Sequence, residues 1–219
     1  MGEVLVQASG LAKSYAGVPV VAGVTCRVMA GARIAVVGAA GRGKSTLLHL
    51  LGGLIEATEG QITWPALSAR ETLRPTQLAF AFQAQSLFAA LTIQRNVALP
   101  LLLAGEPDAE ARALAMLERF GLAGLARNLP EDVSGGQAQR VALARALVIH
   151  PRLVLADEPT GQLDSATAGQ VLDTLLAVAA EHRIALVIAT HDPGVAARMD
   201  QCWTMEHGAL SVQAMKEVA

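Results

Sequence analysis

The chain has 219 residues, of which 53% are hydrophobic and only 16% are charged, and its formal net charge is −2. This length is enough for one large domain with a full hydrophobic core, and the charge provides no basic field to attract nucleic acid. Two cysteines, Cys26 and Cys202, do not make a disulfide framework, and no apolar run approaches the ~20 residues that span a bilayer. We therefore expect a protein of the reducing cytosol that is neither exported nor embedded in a membrane.

The first elements are predicted to be antiparallel strands, because turn signals at Gly10, Gly17 and Gly23 divide the stretch Val4 to Val28. From Ile34 onward strands alternate with helices, which favours a mainly parallel sheet between helices. The predicted fold class is therefore α/β, with a mainly parallel core and a small antiparallel β lobe. We expect residues 1–219 to form a single domain.

A glycine-rich segment lies directly between the apolar runs Ile34 to Val37 and Leu47 to Leu51. Glycines let the backbone wrap closely around an oxyanion, and the N-terminus of the following helix adds free N–H groups and a partial positive charge. The pattern predicts a phosphate-binding loop, in which Lys44 reaches the outer phosphates and Ser45 offers a hydroxyl to magnesium. The alternative is a glycine turn with an exposed lysine. The candidate phosphate-binding residues are Gly38, Ala39, Ala40, Gly41, Arg42, Gly43, Lys44, Ser45 and Thr46.

Two predicted helices follow in the middle of the chain. The amphipathic helix Asp108 to Phe120 and the helix Ala138 to Ile149 would form a helical lobe, covering about residues 86–150. The second helix opens on a serine and two glycines, which make a second anion site at a helix start. One nucleotide rarely needs two such sites in one chain, so we expect this site to face a nucleotide held by another subunit. Its residues are Ser134, Gly135, Gly136 and Gln137.

Paired acids end the next apolar strand, Leu153 to Ala156. Ligands of open α/β sheets bind beyond the carboxyl ends of the strands, which places Asp157 and Glu158 near the phosphate loop. Successive strand side chains point in opposite directions, and Pro159 disfavours helical geometry at Glu158, so a turn is expected here. We assign Asp157 to magnesium and Glu158 to the attacking water. The alternative is a strand that ends in two solvated acids.

Together these segments resemble the ATP-binding cassette ATPases, whose signature Leu-Ser-Gly-Gly-Gln corresponds to Val133 to Gln137. The resemblance covers nearly the whole chain and implies a P-loop NTPase core. It identifies Gln83 with the Q-loop glutamine, which serves both magnesium and hydrolysis, and places Asp164 in the D-loop. His191 is similar to the switch histidine that contacts the γ-phosphate, and Tyr15 to an aromatic residue that stacks on adenine. The remaining histidines are expected to be structural or solvated: His49, His150, His182 and His207.

The resemblance also implies activity and partners. It implies a magnesium-dependent ATPase that binds ATP, pairs with a second and identical ATPase subunit, and drives integral membrane permease subunits on separate chains. Such a chain would lie on the inner face of the cell membrane, with no nucleic acid partner. Short strings at Asn96 to Leu101 and Leu155 to Gly161 are similar to the branch that serves lipoprotein release, macrolide export and cell division. The alternatives are a soluble, non-transport ATPase of the same family and a regulatory module that signals to cell-wall enzymes.

Apolar residues directly after the Q-loop are candidates for contact with the membrane subunit. In transporters of this family the groove after the Q-loop glutamine receives a short cytoplasmic helix of that subunit. The candidate contacts in the stretch 84–103 are Leu87, Phe88 and Leu91. The alternative is that these leucines belong to the core of the helical lobe. One departure from the family pattern is Gln162, which stands where asparagine is usual in the D-loop and puts the coupling between two sites in doubt.

Overall fold

The computed structural model describes residues 2–67, 69–82 and 87–214. Within these ranges the strands are β1 (Val4–Tyr15), β2 (Val18–Met29), β3 (Arg33–Val37), β4 (Glu59–Thr63), β5 (Leu78–Ala81), β6 (Leu153–Asp157), β7 (Ala185–Thr190), β8 (Gln201–Glu206) and β9 (Ala209–Ala214). The α-helices are α1 (Lys44–Leu51), α2 (Ile93–Leu103), α3 (Ala109–Arg119), α4 (Gly135–Leu147), α5 (Ser165–His182) and α6 (Pro193–Ala196).

The main sheet has the strand order β5-β6-β7-β3-β8-β9, and only β9 among these strands runs antiparallel to its neighbour. Its central strands are continuous apolar runs with both faces covered, as a parallel sheet requires. Strand β7 pairs with both β6 and β3, so the carboxyl ends of these three strands lie at one edge of the sheet. The loop after β3, the acids at the end of β6 and the residues after β7 therefore come together.

The predicted antiparallel lobe is present as a sheet of order β2-β1-β4. Of the three glycines read as turn signals, only Gly17 lies in the connection between β1 and β2. Gly10 and Gly23 lie inside these long strands, where the pairing register shifts, and both have a left-handed φ. They permit β-bulges rather than chain reversals, because a bulge also needs a backbone conformation that glycine adopts readily.

The helical lobe consists of α2, α3 and α4, which pack on one another. The predicted helix at Asp108 to Phe120 is confirmed as α3, and Asp108 itself has a left-handed φ just before it. Helix α4 begins at Gly135, but it ends at Leu147, before the predicted Ile149. Three residues on, His150 has a left-handed φ, and the chain then enters β6.

The main sheet separates two hydrophobic cores. One core packs helices α2 to α6 against one face, and the other packs α1 and the antiparallel sheet against the opposite face. Trp203 of β8 is the largest fully buried side chain of the second core. Within the described residues, none of the helices has the length and apolar character needed to cross a bilayer.

Candidate functional site

The glycine-rich loop is shaped by contacts with two other strands. Gly43 has φ 94°, and a Cβ atom there would lie 2.4 Å from the carbonyl oxygen of Val20 on β2. A Cβ atom on Gly38 would lie 2.5 Å from the carbonyl oxygen of Met205 on β8. Only glycine fits these two positions. Gly41 also has a left-handed φ, but space around it is open, and Arg42 beside it is exposed.

Lys44 begins α1 and is only 8% exposed. Its Nζ donates hydrogen bonds to the carbonyl oxygens of Gly38 at 2.7 Å and Ala39 at 3.2 Å. The same Nζ lies 4.0 Å from Oε1 of Glu158. The ammonium group is therefore held over the loop and faces the carboxylate that β6 delivers.

Glu158 turns the chain at the end of β6, as predicted, and its backbone is left-handed. Pro159 disfavours right-handed helical geometry at Glu158, and the φ of Glu158 is +47°, in the left-handed region. Its N–H donates to the carbonyl oxygen of Ala189 on β7 at 2.9 Å, which fixes the turn away from the strand. Its Oε1 lies 2.9 Å from Nδ1 of His191. The turn separates the half-buried Glu158 from Asp157, which remains buried at the end of β6.

These groups line one cavity of about 280 Å³. The cavity brings together the phosphate loop, the paired acids and the histidine, as predicted from their order along the chain. Lining residues are Ala40, Gly41, Lys44, Ser45, Asp157, Glu158, Gly161, Gln162 and His191.

The donors suit a magnesium ion. Ser45 and Asp157 offer a hydroxyl and a carboxylate to the same cavity, and hard oxygen ligands are those that Mg²⁺ prefers. Mg²⁺ usually takes only one or two protein ligands together with substrate phosphates. Within the residues that the structure describes, no group of three or more His, Cys, Asp or Glu could hold a metal ion.

The signature residues lie apart from this cavity. Ser134 caps α4: its Oγ accepts from the N–H of Gln137 at 3.3 Å, while Oε1 of Gln137 accepts from the N–H of Ser134 at 2.8 Å. Gly135 is exposed and Gly136 packs near Leu163. The helix start is therefore formed and capped, but it does not line the cavity of its own chain.

Asp164 and Tyr15 also lie outside the cavity lining. Asp164 caps α5, and its Oδ1 accepts from the N–H of Thr167 at 2.9 Å. Hydrogen bonds from the side chain and then the backbone of Thr167 lower the pKa of this carboxyl group. Tyr15 is exposed at the end of β1, with its ring centroid 5.3 Å from Nζ of Lys13. Gln83, expected to serve magnesium and hydrolysis, lies outside the described residues.

Two buried amides were missed in the sequence. Gln139 of α4 bonds to the turn that carries Glu158. Asn96 of α2 is fully buried, and it exchanges hydrogen bonds with the N–H and carbonyl oxygen of Phe88. The signal available for Asn96 was a polar residue beside a helical apolar run, because such a residue needs a partner when it is buried, whereas Gln139 lies among polar residues and gave no such signal.

The comparisons with known proteins agree with this geometry. A family model described as "ABC transporter" matches residues 21–161. The lipoprotein-releasing system ATP-binding protein LolD of Legionella pneumophila is 45% identical, with 96% of this chain and 98% of the relative covered. LolD of Chromohalobacter salexigens is 40% identical, with coverage of 97% and 95%.

Solved structures extend the agreement to the whole fold. The dimeric ATP-binding cassette MJ0796, bound to ADP and Pi, has a TM-score of 0.89 and 30% identity, with 97% of this chain and 99% of that chain covered. The cassette cbiO1 of Clostridium perfringens, part of the ABC transporter complex cbiONQ, has a TM-score of 0.84 and 27% identity, with coverage of 97% and 88%. The resemblance and the predicted fold class are thus confirmed, and the chain belongs to the ABC transporter family as an ATP-binding subunit.

Proposed function

We propose that this chain hydrolyses ATP with magnesium, as one of two identical subunits that drive separate membrane permeases in lipoprotein release. The observation that carries the hydrolytic role is the cavity in which Lys44, Glu158 and His191 face the phosphate loop. The names of the relatives from two bacterial species support lipoprotein release as the process served.

The phosphate chain of ATP would be bound by the backbone N–H groups of the loop and by Lys44. Magnesium, held by Ser45 and Asp157 with Gln83, would neutralise charge on the phosphate oxygens. Lys44 already donates two hydrogen bonds to loop carbonyls, so its ammonium group is held in place for an anion. Tyr15 is proposed to stack on adenine, because it pairs with Val18, two residues from the Val20 carbonyl that borders Gly43.

Hydrolysis needs a group that orients and deprotonates water beside the γ-phosphate. We assign this role to Glu158, because its turn directs the carboxylate into the cavity toward Lys44. His191 contacts the same carboxylate through Nδ1, and it would also contact the γ-phosphate. A proton taken by Glu158 from water would leave hydroxide to form the new bond to phosphorus as ADP departs.

A second subunit is proposed because the signature helix cannot complete the cavity of its own chain. Ser134, Gly135, Gly136 and Gln137 form an ordered helix start that lies outside the cavity lining. The N-terminus of a helix carries a partial positive charge, which favours an anion from another molecule. The dimeric MJ0796 cassettes support this arrangement, and Asp164 in the D-loop would lie near the same interface.

A separate apolar groove supports the proposal that the chain binds a membrane partner. It has a volume of about 390 Å³, and Phe88 and Leu103 on its walls are 54% and 72% exposed. Of the candidate contacts, Phe88 lines this groove, whereas Leu87 packs on the core of the helical lobe. We propose that the groove receives a short helix of the permease, which would hold the chain on the inner face of the membrane. We also propose that residues 1–219 act as one ATPase domain, with a helical lobe at about 86–150.

The deciding experiment measures ATP hydrolysis against protein concentration for the wild type and the Glu158→Gln variant. We expect the rate per subunit to rise with concentration, and the variant to lose nearly all turnover while it still binds ATP and forms a stable dimer. The control Glu118→Gln changes an exposed glutamate of α3 and should hydrolyse ATP normally. Turnover should also disappear when magnesium is removed with a chelator. Normal turnover in Glu158→Gln would exclude the proposed role of this residue.

Transport itself needs a further measurement. ATP-dependent release of lipoprotein from vesicles that contain the chain and its permease would support the full proposal. ATP hydrolysis without release would favour a regulatory module instead.

A further inference from the structure

The side chain of Gln139 joins the signature helix to the turn that carries Glu158. Gln139 is only 4% exposed. Its Nε2 donates to the backbone carbonyl oxygen of Glu158 at 2.8 Å, and its Oε1 accepts from the N–H of Gln162 at 3.3 Å. One side chain therefore holds both ends of the turn 158–162.

The chemistry of this contact is specific to an amide. The turn presents a carbonyl oxygen at one end and an N–H group at the other, so the bridging side chain must be donor and acceptor at once. Asparagine has the same groups but is shorter by one methylene, and glutamate has no donor when it is ionised. The amide matters because Glu158 has a left-handed φ, which persists only where surrounding contacts maintain it.

We propose that Gln139 is a positioning residue for ATP hydrolysis, which holds the Glu158 carboxylate in the cavity and ties its position to the signature helix. The inference rests on the proposed function of Glu158. Gln139 follows Gln137, the last signature residue, by two positions. If the signature residues move against the nucleotide of a second subunit, the start of α4 and the Gln139 amide would therefore transmit that movement to Glu158 of the same chain.

Two variants and a control test this role. Gln139→Met removes both hydrogen bonds and keeps the length of the side chain, whereas Gln139→Glu keeps the acceptor for Gln162 and loses the donor to Glu158. We expect both to lower kcat by about tenfold to a hundredfold, since displacements of an ångström cost this much, and to leave KM and the Kd of a fluorescent ATP analogue nearly unchanged. The control Gln170→Met changes an exposed glutamine of α5 and should retain wild-type kcat.

The double variant Gln139→Met with Glu158→Gln separates positioning from a general structural role. If Gln139 acts through Glu158, its removal should have no additional effect on the residual single-turnover rate of Glu158→Gln. Additive losses, or wild-type kcat in both Gln139 variants, would overturn the inference. If Gln139→Met does not fold, the nearly isosteric Gln139→Glu answers the same questions. Absence of hydrolysis in the wild type, or normal turnover in Glu158→Gln alone, would instead refute the proposed function.

Discussion

At the scale of single residues, the phosphate loop depends on glycines that touch the backbone of distant strands. Gly43 and Gly38 each face a carbonyl oxygen at a distance that excludes a Cβ atom. Carbonyl groups of ordered strands cannot rotate away as a side chain can. The loop is therefore held by the positions of β2 and β8 as well as by its own sequence.

We predict that Gly43→Ala destabilises the protein more than Gly10→Ala does. Both glycines have a left-handed φ, which costs an alanine about 1–2 kcal/mol, and only Gly43 adds a clash, of about 1–3 kcal/mol. Urea unfolding of the two variants measures the difference directly. Equal losses in the free energy of unfolding would show that β2 moves aside at no cost.

Glu158 illustrates which features of a single residue could be predicted from the sequence and which could not. Its type and its place after a buried strand predicted a carboxylate at the cavity, and the structure has it there. The turn at Glu158 was also predicted, but its left-handed φ was not, because the preference of a residue before proline is local. The hydrogen bond to Ala189 and the contact with Gln139 come from elements distant in sequence, and these contacts accompany the left-handed φ.

At the scale of elements, the segment that follows α4 contacts the end of α5 through two stacked histidines. The rings of His150 and His182 have centroids 3.5 Å apart and an interplanar angle of 12°. Burial lowers the pKa of His150, and the charges of His182, Arg112 and Arg119 lower it further against the opposing effect of Glu181. The neutral form of His150 is therefore favoured in the folded state.

This pKa shift predicts a loss of stability in mild acid. Because its folded pKa is lowered, the unfolded chain takes up the proton first as the pH falls below the ordinary histidine value of 6.5. The free energy of unfolding should therefore decrease from about pH 6.5 downward, and His150→Asn should lessen that decrease. Asparagine tolerates the left-handed φ of this position.

The matched control is His207→Asn, because His207 also has a left-handed φ but lies exposed between β8 and β9. Chemical unfolding between pH 5.5 and 8 compares the two variants with the wild type. An unchanged pH dependence in His150→Asn would contradict the assignment to the histidine stack.

Helix α2 is difficult to predict from the sequence. Pro100 lies inside it, where proline normally interrupts a helical pattern, and Asn96 interrupts its apolar run. Asn96 is nevertheless buried, because its side chain donates to the carbonyl oxygens of Phe88, Leu91 and Thr92. These partners come from the preceding loop, whose position depends on tertiary packing. Helix α3 was predictable because its amphipathic pattern has no such interruption.

At the scale of the whole molecule, the order of motifs along the chain predicted which segments meet at the cavity. Parallel strands with carboxyl ends at one edge make that inference possible without coordinates. The apolar groove could not be derived in the same way. Its walls come from β5, α2 and α4, from residues next to these elements and from Leu54 after α1, so its shape depends on how the helical lobe rests on the sheet.

The groove leads to a prediction about assembly. Leu103→Glu should prevent the chain from binding the proposed permease, because a carboxylate would replace an apolar contact on the groove wall. ATP hydrolysis by the isolated chain should be unchanged, since Leu103 does not line the nucleotide cavity. Leu114→Glu, at an exposed leucine of α3 outside the groove, is the control.

Co-purification from detergent-solubilised membranes of the source organism measures this binding, with the permease identified by mass spectrometry. Retention of the permease by Leu103→Glu, at the level seen with Leu114→Glu, would place the docking surface elsewhere.

Helix α1 has a consequence for how the two sites communicate. It begins at Lys44 in the phosphate loop and ends at Leu51, and a Cβ atom on the next residue, Gly52, would lie 2.1 Å from the ring of Phe80 in the groove wall. Eight residues of α-helix form a stiff rod of about 12 Å. One short helix thus joins the phosphate loop to the wall of the groove, and we expect a displacement of Lys44 along the helix axis to be transmitted to Phe80.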